Sequence, residues 1–353
     1  MKYKNIIEGI FLRKLNRFTA EVEVDGEIKL AHLPTTARLR ELLIPGAKCY
    51  LEEALNKKRK TPYTLISIVK NGEILNIVST VANDLVYEKI IGGEILTDLK
   101  IKDLKKEVTY SHSRFDFGFT TIEGEEGFIE VKSVNLKRNN ISMFPGSPTE
   151  RGRKHLIELA DAKMEGKIAV LVIVVLFEEV DFFTANIATD PLWSKELIKS
   201  LEAGVKIVGF NSRVTKDSIE LKDEIEIDLG YFIEDSKDKN TFVFKNKTKS
   251  LASFSLKEIS MTNSKNNTYD IDNIFEDYLF LSEIEASYCS EKAFTTMISF
   301  IEQKTSDLKI NTLKIEIDSR EIALENILKE LNYREVKITH NNRNKLFEKF
   351  IDK

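Results

Sequence analysis

The sequence predicts a multidomain α/β protein in which a small β-barrel precedes an α/β sheet domain and a C-terminal α+β unit. Three observations support this prediction. Residues 1–70 contain several short strand patterns and a tight Asp25-Gly26 turn. Strand and helix patterns then alternate, and one strand, at 168–177, is wholly apolar, which is typical of a strand buried on both faces. A polar, turn-rich segment at 235–240 opens a third group of elements.

The N-terminal segment has the pattern of a five-stranded barrel of the OB type. Its strands are predicted at residues 5–12, 18–24, 27–33, 48–53 and 63–69, with one brief helix at 37–43. Residues 1–70 hold fourteen Lys and Arg against eight Asp and Glu, a net charge of +6, although the whole chain has a net charge of −4. Because local positive charge governs attraction to a polyanion, the barrel is the part expected to bind DNA or RNA.

Basic and aromatic residues lie close together in two loops of the predicted barrel. The residues in question are Arg17, Lys57, Lys58, Arg59, Lys60 and Tyr63. Such loops commonly follow phosphates while neighbouring rings stack on bases, which makes these residues candidates for nucleic-acid binding. A solvated hairpin tip would have the same composition, and the sequence leaves both interpretations open.

The second domain is predicted to begin with a helix and a hairpin. Helices are expected at 81–91, 150–165 and 192–203, and strands at 113–119, 127–133, 168–176 and 205–210. This order of elements is the one expected of a restriction-endonuclease-like core.

The two strands of the hairpin carry the residues with the clearest chemistry. A hairpin centred near Glu123 places Asp116 opposite Glu130, and Lys132 shares the face of Glu130. Two carboxylates and an ammonium group suit a metal-dependent phosphodiesterase, because they supply oxygen ligands for Mg²⁺ or Mn²⁺ and a cation that orients water. Charges on an apolar ribbon need compensation. The alternative is a surface hairpin whose Glu and Lys contact nothing.

The third unit is predicted to mix strands and helices. Strands are expected at 241–244, 252–259, 278–285, 312–318 and near 335–339, helices at 291–303 and 322–331, and a flexible Asn-, Ser- and Thr-rich loop at 261–272. The predicted domain limits are therefore 1–72, 73–229 and 230–353.

Composition limits the class of protein. An apolar fraction of 42% and a charged fraction of 31% describe a globular chain, and the longest apolar run is about half the length of a membrane span. No signal-sequence pattern opens the chain, so the cytoplasm is the expected location. Cys49 and Cys289 are far apart, and the four histidines lack ligand spacing, so a zinc site is not expected.

Several motifs in the first two thirds of the chain occur together in a known family. They are Asn16-Arg17-Phe18, Leu42-Leu43-Ile44-Pro45-Gly46, Lys58-Arg59-Lys60-Thr61-Pro62-Tyr63-Thr64, Ala82-Asn83, Ser113-Arg114-Phe115-Asp116, Ile129-Glu130-Val131-Lys132-Ser133-Val134, Met143-Phe144-Pro145 and Thr149-Glu150-Arg151-Gly152-Arg153-Lys154-His155-Leu156. Residues 1–229 thereby resemble the sugar fermentation stimulation protein A (SfsA) family. The resemblance implies an OB-like domain, a PD-(D/E)xK nuclease-like domain, and DNA binding linked to the regulation of sugar metabolism.

The resemblance also implies roles for individual residues. By motif match, Asp116, Glu130 and Lys132 form the nuclease-type triad, with Glu88 on the preceding helix as a further candidate. In this interpretation Asp116, Glu130 and the carbonyl of Val131 hold Mg²⁺ or Mn²⁺, and Lys132 positions the attacking water. Arg151, Lys154 and His155 would contact the scissile phosphate, or else form an ordinary amphipathic helix surface. A non-cleaving DNA-binding regulator that retains the triad as a remnant is the alternative function.

The C-terminal unit resembles another family. The run Ala323-Leu324-Glu325-Asn326-Ile327-Leu328-Lys329-Glu330-Leu331-Asn332-Tyr333 is similar to the later half of GNAT acetyltransferases, which implies a GNAT-like α+β domain and, as a third function, an acyl-CoA-dependent transferase. Active members have a Gly-rich turn whose N–H groups bind the pyrophosphate of coenzyme A. The corresponding turn, Tyr288-Cys289-Ser290-Glu291-Lys292, has no glycine. Coenzyme A is therefore not expected to bind.

Overall fold

A computed structural model describes residues 1–35, 37–56, 59–235, 240–246, 249–259, 278–286, 289–318, 321–336 and 344–351. By its contacts the chain divides into two compact units. The first is Met1–Asn186 with Asp190–Asp228, and the second is Ile187–Thr189 with Leu229–Lys353. The first unit contains both the barrel and the α/β sheet, so the predicted limit at residue 72 lies inside one compact body and stays a prediction.

Six strands form the N-terminal sheet. They are β1 (Ile6–Asn16), β2 (Thr19–Val24), β3 (Glu27–His32), β4 (Lys48–Glu53), β5 (Tyr63–Lys70) and β6 (Glu73–Asn76). Asp25 and Gly26 have φ values of 51° and 77°, as the two central residues of a tight hairpin turn require. The order is β3-β2-β1-β4-β5-β6, and a parallel pairing of β3 with β5 closes five strands into a barrel. The predicted OB-type barrel is confirmed.

The brief helix predicted at 37–43 is wrong. The described residues of this stretch form turns, with the N–H of Leu43 bonded to the carbonyl of Leu39 as an isolated helical contact. Leu39 has a left-handed φ of 50°, a conformation that an α-helix of L-residues cannot contain without strain.

The α/β part of the first unit contains three helices and two sheets. Its elements are α1 (Val81–Ile91), β7 (Ile101–Tyr110), β8 (Ser113–Thr121), β9 (Glu126–Val134), β10 (Leu136–Arg138), β11 (Ile141–Phe144), α2 (Glu150–Met164), β12 (Ile168–Val175), β13 (Phe182–Ala185), α3 (Pro191–Glu202), β14 (Lys206–Val214), β15 (Ile219–Glu224) and β16 (Glu226–Ile227). The large sheet has the order β15-β14-β12-β9-β8-β7, and the small one β10-β11-β13-β16. β12 pairs in parallel with β9 and β14 and is buried throughout from Ala169 onward, as its apolar sequence predicts.

Helices α1 and α2 cover opposite faces of the large sheet. Ile129 and Val131 of β9 lie in the hydrophobic core with the buried residues of α1. Glu130, between them, contacts His155 of α2. Because successive side chains of a strand point to opposite faces, α1 and α2 must lie on different sides of the sheet.

A buried polar contact joins the barrel to the large sheet. The N–H of Asn76, the last residue of β6, donates to the carbonyl of Leu176 (2.9 Å), and its side-chain amide donates to the hydroxyl of Tyr3 (2.9 Å). The amide of Asn135 in turn donates to the carbonyl of Asn76 (3.2 Å). Burial raises the pKa of Tyr3 to about 12, so this hydroxyl keeps its proton at neutral pH. These bonds fix β6 beside the strands that carry the site described below.

The second unit is an α+β structure, in agreement with the predicted class. Its elements are β17 (Tyr231–Asp235), β18 (Thr241–Asn246), β19 (Lys249–Ile259), β20 (Tyr278–Glu285), α4 (Glu291–Asp307), β21 (Thr312–Asp318), α5 (Ile322–Glu330), β22 (Arg334–Val336) and β23 (Asn344–Phe350). The sheet order is β17-β18-β19-β20-β21-β23-β22. The loop predicted at 261–272 lies outside the described residues.

The helices and free thiols add two further facts. In the part of the chain that the structure describes, none of the helices combines the length and the apolar composition needed to cross a bilayer. Cys49 is a buried free thiol and Cys289 a half-buried one.

Gly127 allows β8 and β9 to pack closely, which yields a stability prediction. A Cβ at this position would lie 2.3 Å from Cζ of Phe119 and 2.8 Å from the carbonyl oxygen of Ile168. We expect Gly127→Ala to lower the free energy of unfolding by about 1–3 kcal/mol, since overpacking a core displaces side chains and backbone. Urea denaturation measures the effect. Gly146→Ala is the matched control, because a Cβ there meets only Ala37 at 3.9 Å; equal stability of the two variants would contradict the expectation.

Candidate functional site

The hairpin of β8 and β9 brings the predicted triad together. Phe117 pairs with Ile129 and Gly118 with Phe128. This pairing ends at Phe117 and Ile129, one residue before Asp116 and Glu130. The ammonium group of Lys132 bonds to Oε1 of Glu130 on the same strand. Asp116 is close enough to Glu130 and Lys132 for both charges to act on it.

Strand β8 is irregular at Asp116. The ring of Phe115 lies 6.2 Å from His155 of α2, whereas the ring of Phe117 stacks on Tyr87 of α1 at 6.1 Å. Side chains two residues apart share a face in a regular strand, so the chain rotates at Asp116. Glu107, which lies opposite Asp116 in β7, has a left-handed φ of 57°. This local distortion lets the Asp116 carboxylate reach both Asn83 of α1 and the N–H of Val131 in β9.

Asp116 is half-buried and held at both oxygens. Oδ1 accepts a hydrogen bond from the side-chain amide of Asn83 on α1 (2.6 Å), and Oδ2 accepts one from the N–H of Val131 (2.8 Å). Burial, followed by the nearby charge of Glu130, raises the pKa of Asp116, and the two donors and Lys132 offset only part of this. The protein thus orients this carboxylate but leaves excess negative charge around it.

Glu130 is buried, with 3% of the residue exposed. Its Oε1 contacts both the Lys132 ammonium and Nδ1 of His155, while its Oε2 is buried and has no hydrogen-bond partner among the described residues. Burial alone would raise the pKa of Glu130, but the Lys132 charge and the His155 hydrogen bond together outweigh it, so the pKa lies below its usual value. The carboxylate is therefore ionised at neutral pH and presents one uncompensated oxygen.

His155 and Arg151 extend the site along α2. Nε of Arg151 lies 3.4 Å from Nε2 of His155. An arginine Nε can only donate, so Nε2 accepts, and the proton of a neutral His155 sits on Nδ1, facing Glu130. His155 is buried, whereas Arg151 is exposed. His155 therefore bonds to Glu130 inside the fold, and Arg151 is the residue of the two that is exposed to solvent.

Other predicted residues lie elsewhere. The Lys154 ammonium donates to the carbonyl of His112 (2.7 Å), which turns it toward the β7–β8 turn. Glu88 is 60% exposed, and its carboxylate lies 3.8 Å from the amino group of Met1. Asn83, and not Glu88, is the residue of α1 that reaches the triad. Asn83 was not among the predicted site residues, although it is part of the Ala82-Asn83 motif.

Two of the basic residues predicted on the barrel, Arg17 and Arg59, lie near the β1–β2 turn. Arg17 lies 5.3 Å from the ring centroid of Phe18, which is 48% exposed. The carbonyl of Phe18 is bonded to Nδ1 of His32. His32 pairs with Thr64 across β3 and β5, and Nη1 of Arg59 donates to the hydroxyl of Thr64 (3.3 Å). These contacts bring the β1–β2 turn next to the loop before β5.

The remaining residues of the two basic loops have mixed placements. Lys60 is exposed, and Tyr63, at the start of β5, is half-buried. Lys57 and Lys58 lie outside the described residues. Phe18 was not among the residues predicted to bind nucleic acid. Its exposed ring beside Arg17 makes it a further candidate.

The charge of Glu130 generates a prediction about stability and pH. Since the folded-state pKa lies below the usual value, its ionisation stabilises the fold above pH about 4.5 and this contribution is lost as the pH falls. We expect Glu130→Gln to lower the free energy of unfolding by about 1–3 kcal/mol at pH 7, with the difference from wild type shrinking toward pH 3. Urea denaturation across this range measures it.

The exposed Glu53 supplies the control for this experiment. Glu53→Gln should leave stability within about 0.5 kcal/mol of wild type at every pH. A destabilisation by Glu130→Gln that is the same at pH 3 and pH 7 would contradict the assignment of the effect to the carboxylate charge.

Comparison with known proteins places both parts of the first unit in one family. Residues 80–218 match the sugar fermentation stimulation protein RE domain, and residues 12–77 match the SfsA N-terminal OB domain. The sugar fermentation stimulation protein homologue of Clostridium tetani is 41% identical over 226 residues, which is 64% of this chain and 98% of that protein. The homologue of Clostridium beijerinckii is 41% identical over 229 residues, 65% of this chain and 100% of that protein.

The chain is also similar to solved structures. The structure of Pyrococcus furiosus SfsA in complex with Ca²⁺ is 31% identical, has a TM-score of 0.59, and aligns with 65% of this chain and 98% of that one. An acetyltransferase of the GNAT family from Listeria monocytogenes aligns with 31% of this chain at 12% identity and a TM-score of 0.25. With the SfsA N-terminal OB domain and the sugar fermentation stimulation protein RE domain matched in this order, the chain belongs to the SfsA family.

Proposed function

We propose that this chain binds nucleic acid through its barrel and holds a divalent cation at Asp116 and Glu130 for phosphodiester hydrolysis. The observation that carries the proposal is the unpartnered, buried Oε2 of Glu130 beside a second carboxylate whose pKa is raised. An arrangement that leaves negative charge in a buried place is costly unless a cation occupies it. The Ca²⁺ complex of the Pyrococcus furiosus relative supports a divalent ion of this kind.

The donor set suits a hard cation with several water ligands. Among the described residues, no group of three or more Asp, Glu, His or Cys side chains is arranged to hold a metal ion. Asp116 and Glu130 would therefore be the side-chain ligands, with the carbonyl of Val131 and water in other positions, and Mg²⁺ commonly retains several waters. A bound Mg²⁺ or Mn²⁺ would polarise a phosphoryl oxygen and lower the pKa of a coordinated water.

The surrounding residues have distinct tasks in this proposal. Asn83 and the N–H of Val131 fix the orientation of Asp116. Lys132, with 12% of its side chain exposed, is bonded to Glu130 and can orient an attacking water. Arg151 is exposed beside His155 and can contact a phosphate, while His155 holds Glu130.

The barrel supplies the nucleic-acid surface in this proposal. OB folds bind oligonucleotides with the loops between strands 1 and 2 and between strands 4 and 5, and these loops contain Arg17 with Phe18 and Arg59 with Lys60. The exposed Phe18 ring offers a surface for a base, and Arg17 and Arg59 offer charge for the phosphates. DNA is the proposed partner, with RNA as the other nucleic acid to be tested.

Cleavage can be tested with Lys132→Met and Glu130→Gln. We expect wild type to cut labelled DNA or RNA with Mg²⁺ or Mn²⁺, and Lys132→Met to cut roughly 10²- to 10⁴-fold more slowly, because the group that orients water is lost. Glu130→Gln should also lose Mn²⁺ binding in calorimetry, whereas Lys132→Met should retain it. Lys216→Met, on an exposed turn, is the matched control and should cut at the wild-type rate. Equal cleavage by all four proteins would contradict the proposal.

A non-cleaving DNA-binding protein is the second candidate. It is favoured by one observation: both oxygens of Asp116 and one oxygen of Glu130 already accept hydrogen bonds from the protein. A wild-type protein that binds DNA but cuts neither DNA nor RNA would select this candidate over the first. Affinity unchanged by Glu130→Gln would then support it.

Nucleic-acid binding is tested separately by Phe18→Ala. Loss of one stacking surface should weaken binding to a labelled single strand roughly 5- to 100-fold in fluorescence anisotropy. Arg17→Ala should in addition reduce the salt dependence of binding by about one phosphate contact. Ile122→Ala is the control, because it also replaces an exposed apolar residue, 62% exposed, on the β8–β9 turn. Binding weakened as much by this control as by Phe18→Ala would contradict a role for the barrel.

A further inference from the structure

A second acidic site lies between the β7–β8 turn and the outer half of α2. It is a cavity of about 270 Å³ lined by Tyr110, Ser111, Glu158, Asp161, Met164 and Glu165. The three carboxylates occupy positions i, i+3 and i+7 of α2 and therefore share one face of the helix. None of these residues takes part in the Asp116 and Glu130 site.

Glu158 is the residue that distinguishes this cavity from an ordinary acidic surface. Only 8% of its side chain is exposed, and its Oε2 is buried without a hydrogen-bond partner. The nearest cation, the Lys154 ammonium, is 3.8 Å from Oε1 and donates its 2.7 Å hydrogen bond to His112 instead. Glu158 lines the cavity, and its second carboxylate oxygen has no donor among the described residues, so a cation that binds this carboxylate would supply one.

The other polar groups keep the cavity negative. The hydroxyl of Tyr110 donates to Glu165 (2.6 Å). This bond, with burial and the charges of the nearby carboxylates, raises the pKa of Tyr110 to about 12, so the phenol remains a neutral donor at pH 7. Asp161 adds a further carboxylate on the same wall. Like charges at neighbouring helix positions destabilise a helix unless a cation lies between them.

Spacing and apolar surface determine which cation fits. Glu158 and Glu165 are seven residues apart, about 10 Å along the helix axis. The Tyr110 ring and the 70% exposed Met164 provide apolar contacts between them. A flexible chain of methylenes with ammonium groups at intervals matches this pattern.

We propose that this cavity binds a linear aliphatic polyamine, with one ammonium group at Glu158 and another at Asp161 or Glu165. The methylene chain lies against Tyr110 and Met164. Each ammonium carries up to three donors, so it can satisfy the free oxygen of Glu158 and still contact solvent.

Calorimetric titration of the full chain with spermidine tests the proposal. We expect Glu158→Gln to weaken binding roughly 10- to 100-fold, the range for loss of one charge-assisted hydrogen bond. Met164→Lys places a competing ammonium at the cavity and should weaken binding while Glu158 remains. The exposed Glu202→Gln, which removes the same charge from α3, should bind as wild type does.

Three further results would each overturn the proposal. Wild type and Glu158→Gln could bind spermidine equally, which would show attraction to the acidic surface alone. Mg²⁺ at the same concentration could displace spermidine, which would identify a metal site. Butylamine, with a single ammonium group, could bind as tightly as spermidine, which would exclude recognition of spaced charges. Far-ultraviolet circular dichroism of each variant verifies that the fold is retained.

Discussion

The structure of the first unit depends on the burial of the Glu130 carboxylate. Removing an ion from water costs several kcal/mol unless charges and hydrogen-bond donors replace the solvent. Here Lys132 and His155 both bind Oε1, and Oε2 accepts no hydrogen bond from the described residues. The protein therefore stabilises the negative charge of Glu130 enough to keep it ionised, but it leaves one carboxylate oxygen without a donor. A carboxylate held in this state is suited to a ligand cation, as the proposed metal site requires.

His155 can reach Glu130 only if α2 begins at the correct residue. The hydroxyl of Thr149 caps the helix by accepting from the N–H of Gly152 (3.0 Å), and Asp190 accepts from the N–H of Thr149 (2.9 Å). Arg153 is bonded to the same Asp190 carboxylate (2.9 Å). The helix start is thus tied to the residue that caps α3, and the position of α3 helps to set the position of His155. Residues far from the triad in sequence contribute to its geometry in this way.

The parts of the structure that rest on local patterns could be predicted from the sequence. The register of the β8–β9 hairpin follows from its acidic turn, and the buried strand β12 follows from its apolar run. Glu88 and Asn83 show where this fails: the two are five residues apart, about 140° around α1, and only the packing of the helix decides which one faces Asp116. The turn at Leu39 and the short strands β11 and β13 depend likewise on contacts between distant segments.

The two neighbouring carboxylates differ in what surrounds them. The Lys132 charge and the His155 hydrogen bond outweigh burial and lower the pKa of Glu130, while burial and the Glu130 charge raise that of Asp116. A divalent cation bound between them would oppose the effect on Asp116, because it adds an attraction to both carboxylates. Metal binding should then release protons from Asp116, so the strength of binding would rise with pH through the range in which Asp116 ionises.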